Sequence, residues 1–135
     1  MEDHPETVAD IMSKPVITVT LQQRVKDVLK LLARKDISGV PVVDEVGKLI
    51  GMVSSLDMIL DTSIGKSDLR LGELPLSISV EKQVVKFHTD EPIKKAILAI
   101  IKKRLGRVVV IDEEMKPVGI VSRSDILKYI VNKST

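Results

Sequence analysis

The feature that most restricts what this chain can become is that it contains one pattern twice. Shifted by 68 residues, the segment from Ile37 to Asp57 falls without a gap on the segment from Leu105 to Asp125. Asp44 meets Asp112, Gly51 meets Gly119, Ser54 meets Ser122 and Asp57 meets Asp125. Upstream the agreement continues, with Val25, Val28, Leu29 and Leu32 over Ile93, Ala96, Ile97 and Ile100. A fixed offset that keeps both the apolar period and the polar punctuation marks a duplicated supersecondary unit, stable only when its apolar face is covered. At about 60 residues, one copy alone would have a marginal core.

Both copies read in the same order. β-branched runs at Val16 to Val19 and Val84 to Phe87 suit strands. The apolar spacing of three and four that follows predicts an amphipathic helix, with Pro92 in the first helical turn of the second copy, where proline is tolerated. The runs Val40 to Val43 and Leu49 to Val53 flank Asp44 to Gly47 and predict a hairpin in which Gly47 supplies a positive φ. The second copy has Asp112 to Met115 in that place and must turn without glycine. Closing helices are expected over Ser54 to Leu60 and Ser122 to Ile130, and Gly51 and Gly119 are expected to allow close backbone approach. The predicted class is mixed α/β (α+β): two strand-helix-strand-strand-helix repeats, 8–60 and 74–131, packed sheet to sheet about a pseudo-twofold axis. Residues 61–73 are read as a crossover linker with room for a short helical turn.

Composition removes several function classes. Apolar residues make up 44% of the chain, yet there is no Cys, no Trp, one Phe and one Tyr. That excludes a disulfide scaffold, a thiolate metal site and a thiol nucleophile, and it argues against base stacking on rings as a mode of nucleic-acid binding. With 21 Lys and Arg against 19 Asp and Glu, the net charge of +2 gives no large basic field. No apolar run reaches the roughly 18 residues of a membrane span, and the segment Met1 to Asp10 is acidic where a signal peptide is basic and apolar; the expected location is cytoplasmic. No P-loop, Ser-His-Asp spacing or His pair is present, so the chain is expected to be non-catalytic, with no metal site. His88, near Asp90, reads as an exposed strand-end residue. Lys94, Lys95, Lys102, Lys103 and Arg104 make one helix basic, either as a solvated face or toward a polyanion.

Ser54-x-x-Asp57 and Ser122-x-x-Asp125 have two readings. Each fits a capping box, with a Ser N-cap and an acid at the third helical position. The other reading comes from a resemblance. A Gly-x-Pro-Val-Val-Asp strand, a turn, and Gly-hydrophobic-hydrophobic-Ser-x-x-Asp before a helix, present twice, resemble the CBS domain family, whose tandem pairs form Bateman modules. The likeness runs from Val8 to Ile130, and Met12 matches the family's lead-in to the first strand.

The resemblance implies a regulatory module that binds an adenine nucleotide (AMP, ADP or ATP first) or an adenosyl ligand such as S-adenosylmethionine, in clefts between the repeats. It implies no cofactor. Asp125 would hold the ribose diol, Ser122 and Ser124 would join it on ribose and phosphate, and Arg107 would be the phosphate cation. Met12, Ile17, Ile37, Ser38 and Gly39 would enclose the adenine, and Val85 and Leu105 complete the implied ligand-binding set. Arg107 also fits an ordinary solvated strand-edge residue, and Arg123 points either to phosphate or to solvent. At the second implied site, Asp57 and Ser54 are kept, but Leu56 stands in place of Ser124 and Gly39 in place of Arg107. Losing those bonds costs on the order of 2 to 4 kcal/mol, so the Asp125 site is expected to be the stronger. A homodimer and an effector protein of unknown identity are the implied partners. The alternatives are an assembly module with degenerate sites and an S-adenosylmethionine sensor.

Overall fold

In the computed structural model, the residues described are 6–56, 58–59, 68–74 and 84–134. Asp57, Leu60 and most of the expected linker lie outside them. The chain divides into two compact units, Met1–Val16 with Val85–Thr135, and Ile17–Val84. Each is built from one three-stranded sheet and its helices.

In the Ile17–Val84 unit, β1 (Val19–Thr20), α2 (Val25–Lys35), β2 (Gly39–Val43) and β3 (Leu49–Ser54) follow in order, numbered after a lead-in helix α1 (Val8–Ile11) in the other unit. The sheet order is β1-β2-β3, parallel then antiparallel. Helix α2 turns Val25, Val28 and Leu32 inward, all at most 2% exposed, onto Val19, Val40, Val42 and Val53. Each such burial contributes about 1.5–3 kcal/mol against an exposed side chain. Residues 55–56 and 58–59 are helical, as expected, and Met58 is fully buried.

The other unit repeats this plan with β4 (Lys86–His88), α3 (Ile93–Lys103), β5 (Arg107–Ile111), β6 (Pro117–Ser122) and α4 (Arg123–Ser134). Its sheet order is β4-β5-β6 with the same parallel and antiparallel pairings. The duplication reaches fine detail. Both hairpins carry a register irregularity at the matching step, Val42/Val43 and Val110/Ile111. Both turns are held by one carboxylate oxygen: Asp44 Oδ1 accepts from the amides of Val46 and Lys48, and Asp112 Oδ1 from those of Glu114 and Lys116, all at 2.8–3.0 Å. Gly47 has φ 90°, and Met115 takes φ 66° in the same place, so the second turn does manage without glycine.

Three expectations shift. The first strands are shorter and later than their β-branched runs, because parallel pairing engages only Val19–Thr20 against Val42–Val43 and Lys86–His88 against Val109–Ile111. Pro92 is an extended N-cap (φ −65°, ψ 143°) outside the first turn, since the amide of Ile93 is held by Glu6 O at 3.3 Å. Helix α4 runs four residues past Ile130.

A further relationship is absent from the sequence reading, which places Val8 to Met12 in the first repeat. The lead-in packs with the second: Val8 N donates to Glu91 O (2.9 Å), Ala9 N to Thr89 O (3.3 Å), and Val8 is fully buried in that core. Reciprocally, a 3-10 turn at Leu71–Glu73 docks on the first repeat, with Leu71 N on Gln23 O and Gly72 N on Leu21 O, both 2.8 Å. Leu71, read as linker, and Leu74, read as the start of the second repeat, are 0% and 3% exposed. Glu91 and Thr89 are the repeat equivalents of Gln23 and Leu21, so the two docking sites correspond.

Candidate functional site at the β6–α4 junction

Helix α4 starts where β6 ends, and Ser122 serves both. Its Oγ accepts from the amide of Asp125 (3.2 Å), while its own amide and Oγ donate to Asp125 Oδ2 at 2.9 and 3.0 Å. This is the reciprocal capping arrangement the spacing allows. The first helical amide, Arg123 N, is held by Gly106 O at 3.2 Å, as Ser55 N is by Ser38 O at 2.8 Å in the other repeat. The helix start is thereby fixed beside the residue that opens β5.

That residue is Arg107, directly opposite Ser122 in the antiparallel register. Opposed residues of an antiparallel pair share one face, so Arg107 and Ser122 start from the same face of the sheet at this junction. Partial burial lowers the Arg107 pKa from its ordinary value, and an arginine remains charged across the physiological range. In the first repeat Gly39 lies opposite Ser54 at the same register position, without the cation.

The other carboxylate oxygen is also engaged. Ser13 Oγ donates to Asp125 Oδ1 at 2.9 Å, and Ser13 pairs through its backbone with Ile120 (2.7 and 3.1 Å), extending the β6 edge. A carboxylate offers about four acceptor positions. Two on Oδ2 go to Ser122 and one on Oδ1 goes to Ser13. A single ligand hydroxyl can take the remaining Oδ1 position, whereas the second hydroxyl of a diol must displace Ser13.

Met12, beside Ser13, covers Gly119: a Cβ built on Gly119 would lie 2.6 Å from Met12 Cγ and 3.0 Å from Met12 Cβ. The close neighbour at Gly119 is thus a side chain, where close approach of backbone was expected. Arg123 is exposed, and its Nε donates to Leu105 O at 2.9 Å. Ser124 is exposed on the first turn of α4. Val85, Leu105 and Met12 pack partly buried against the core of this unit. Ile17, Ile37, Ser38, Gly39 and Ser54 belong to the other unit, where Ile17 and Ile37 pack against its core and Gly39 is buried. Asp57 lies outside the described residues.

Beside Asp125, a depression of about 240 Å³ is lined by Asp10, Ile11, Lys128, Tyr129 and Asn132. The lead-in and α4 are tied again at its end, where Glu6 Oε2 accepts from the Tyr129 hydroxyl and from Lys133 Nζ (3.3 Å). The Tyr129 bond, and then the Lys133 bond, holds the Glu6 carboxyl below its ordinary range; Lys133 is raised, by Tyr129 first and then Glu6. Sequence reasoning missed Ser13 and Glu6, which carry no motif and reach their partners across more than a hundred residues. Among the described residues no group of three or more acids and histidines is arranged to hold a metal ion, and no helix is long and apolar enough to cross a membrane.

The duplicated sheet-and-helix unit, with a capped Ser-x-x-Asp at its strand-to-helix junction, corresponds to a known domain type. The chain belongs to the CBS domain family, whose model matches residues 8–60 and 76–132. Over 126 residues it is 36% identical to the uncharacterized protein MJ1232 of Methanocaldococcus jannaschii, covering 93% of this chain and 40% of that protein. It spans less than half the length of the first curated relatives it matches. Among solved structures, it is similar to the CBS domain pair of protein MJ0100 in complex with 5'-methylthioadenosine and S-adenosyl-L-methionine (TM-score 0.80, 29% identity, 96% of this chain and 99% of that one). It is also similar to the cytosolic domain of the Mg2+ channel MgtE in complex with ATP (TM-score 0.77, 26% identity, 93% and 49%).

Proposed function

We propose that this CBS pair is a regulatory module that binds an adenine nucleotide or a related adenosyl ligand, with Asp125 anchoring the stronger site. The observation that carries the reading is the strand register that sets Arg107 opposite Ser122, whose hydroxyl is bonded to Asp125. A carboxylate suits a ribose hydroxyl and a guanidinium suits a phosphate, and the start of a twelve-residue helix favours negative charge. The complexes of two similar CBS structures with adenosyl compounds and with ATP support the ligand class. Regulation follows if the ligand binds one conformation of the module better than another.

AMP and ATP are the first candidates because Arg107 favours a phosphate, and the likeness to the MJ0100 pair keeps S-adenosylmethionine as the second reading. A cytoplasmic location and a homodimer are part of the proposal, the homodimer supported by Leu127, Ile130 and Val131, which form an exposed apolar stripe on α4. The test is thermal unfolding with AMP, ADP, ATP, NAD and S-adenosylmethionine. A ligand at a hundred times its Kd stabilises by about 2.7 kcal/mol, and Asp125→Ala should abolish that gain. A chain that no adenosyl compound stabilises would be an assembly module instead.

A further inference from the structure

The two oxygens of Asp125 serve different parts of the fold. Oδ2 accepts from the amide and hydroxyl of Ser122, and the amide of Asp125 donates back to Ser122 Oγ, which closes a part-buried helix cap. Oδ1 accepts from Ser13 Oγ in one exposed bond at 2.9 Å. Ser13 also fastens the lead-in through its backbone, donating to Ile120 O at 2.7 Å and accepting from Ile120 N at 3.1 Å. The chain passes into the other unit after Val16, three residues further on. A group that competes with Ser13 for Asp125 therefore acts on a fastening close to that crossing.

The duplication shows that the Ser13 hydroxyl is not a requirement of the fold. Val8 and Leu71 head the two lead-ins, and their amides donate to the repeat equivalents Glu91 and Gln23. Five residues beyond each, one lead-in has Ser13 and the other Leu76, whose side chain has no hydroxyl to give a carboxylate.

We propose that Ser13 is a ligand-operated latch: the cis-diol of a ribose takes both Oδ1 positions of Asp125, Ser13 gives up its bond, and the bridge to Ile120 loosens. The inference rests on the reading of Asp125 as a ribose anchor. Ser13 yields rather than Ser122, because opening the Ser122 bonds would leave cap amides without a partner, whereas Ser13 is exposed and its displaced hydroxyl turns to water. A ligand with one hydroxyl fits the free Oδ1 position and leaves the latch closed, so the lead-in responds to a diol and not to an adenine alone. By reciprocity, a ligand that opens the latch binds more tightly where the latch is already open.

The test is amide hydrogen exchange at Ile120 in the full chain, read by NMR, with calorimetry on the same samples and with AMP and 2'-deoxy-AMP as probes. Without ligand, Ser13→Ala should speed exchange at Ile120 about fivefold, the factor one net hydrogen bond is worth. Ser13→Thr, which keeps the hydroxyl, should exchange as the wild type does, and Val8 and Ala9, held by Glu91 and Thr89, should keep their rates in both variants. Saturating AMP should bring wild-type Ile120 to the Ser13→Ala rate and change nothing further in Ser13→Ala, while 2'-deoxy-AMP should leave the wild-type rate as it is. Ser13→Ala should bind AMP about fivefold more tightly and 2'-deoxy-AMP with unchanged affinity. The proposal is overturned by a wild-type rate in ligand-free Ser13→Ala, by bound AMP that does not speed Ile120, or by equal effects of the two nucleotides. If S-adenosylmethionine binds where AMP does not, it carries the same diol and is read in the same way. Calorimetry separates the two failures: binding without a change in exchange removes the latch alone, and no binding of AMP or S-adenosylmethionine removes the ribose anchor and the latch with it.

Discussion

Ser13 Oγ donates to Asp125 Oδ1 at 2.9 Å across 112 residues of chain, joining the lead-in of the first repeat to the carboxylate at the head of the second repeat's closing helix. The bond is exposed, so its worth is modest. Ser13→Ala should cost about 1 kcal/mol, the usual net value of one hydrogen bond, seen as a lower midpoint in denaturant. It should also free an Oδ1 acceptor position, so affinity for a ribose-bearing ligand should hold or rise. A calorimetric loss of affinity in Ser13→Ala would show Ser13 to be a ligand contact rather than a competitor for Asp125.

Gly119 and Met12 form a second link between the lead-in and β6. Because a Cβ at 119 would meet Met12 from its Cγ back to its own Cβ, the clash cannot be relieved at the end of the side chain alone. Gly119→Ala should destabilise by about 1–3 kcal/mol, the cost of overpacking. Met12→Ala in the same chain should recover part of that, so the double-mutant cycle should show coupling of about 0.5 kcal/mol or more. Strict additivity would mean that the lead-in does not sit against Gly119.

The two hairpin turns offer an internal control on backbone strain. Met115 holds the positive φ that Gly47 holds in the first repeat, at a cost of about 1–2 kcal/mol for a residue with a Cβ. Met115→Gly should therefore stabilise by about 0.5–1 kcal/mol after the added flexibility of the unfolded chain is allowed for. Gly47→Ala should move stability the other way. Thermal melts of the two variants give both signs in one experiment.

The contact of Glu6, Tyr129 and Lys133 gives the lead-in a pH dependence. Glu6 is depressed in the folded chain, so its contribution is present above the ordinary carboxylate range and disappears as pH falls through the lowered folded value. Lys133 is raised, so its contribution is present below the ordinary lysine range and disappears as pH rises through the raised value. Amide exchange of residues 8–11 should accelerate at both extremes. Glu6→Gln should remove the acid-side change; an unaltered profile would mean that the contact does not hold the lead-in.

Much of the fold was legible because duplication tests every assignment twice. The Val25/Ile93 helices, the hairpins and the Asp44/Asp112 turns stand where periodicity and turn chemistry put them. The lead-in exchange was not legible, because Val8 and Leu71 donate their own amides to the carbonyls of Glu91 and Gln23, and main-chain partners leave no residue signature. The capping geometry of Ser122 and Asp125 follows directly from the spacing, whereas Ser13 reaches Asp125 only through the fold. Arg107 was singled out by its place opposite Gly39 in the repeat alignment, and the register then put it beside Ser122. Arg123 is exposed and also places its Nε on the carbonyl of Leu105, a bond no side-chain pattern encodes.

The most direct test of the central claim is isothermal titration with AMP, ATP and S-adenosylmethionine on the wild type, Asp125→Ala and Asp57→Ala. The account predicts that Asp125→Ala weakens the main binding event by roughly 2 to 4 kcal/mol, with Asp125→Asn intermediate and all variants folded by circular dichroism. Asp57→Ala should leave that event within about threefold, well under the 1.4 kcal/mol of a tenfold change. Retention of full affinity in Asp125→Ala, together with its loss in Asp57→Ala, would contradict the account.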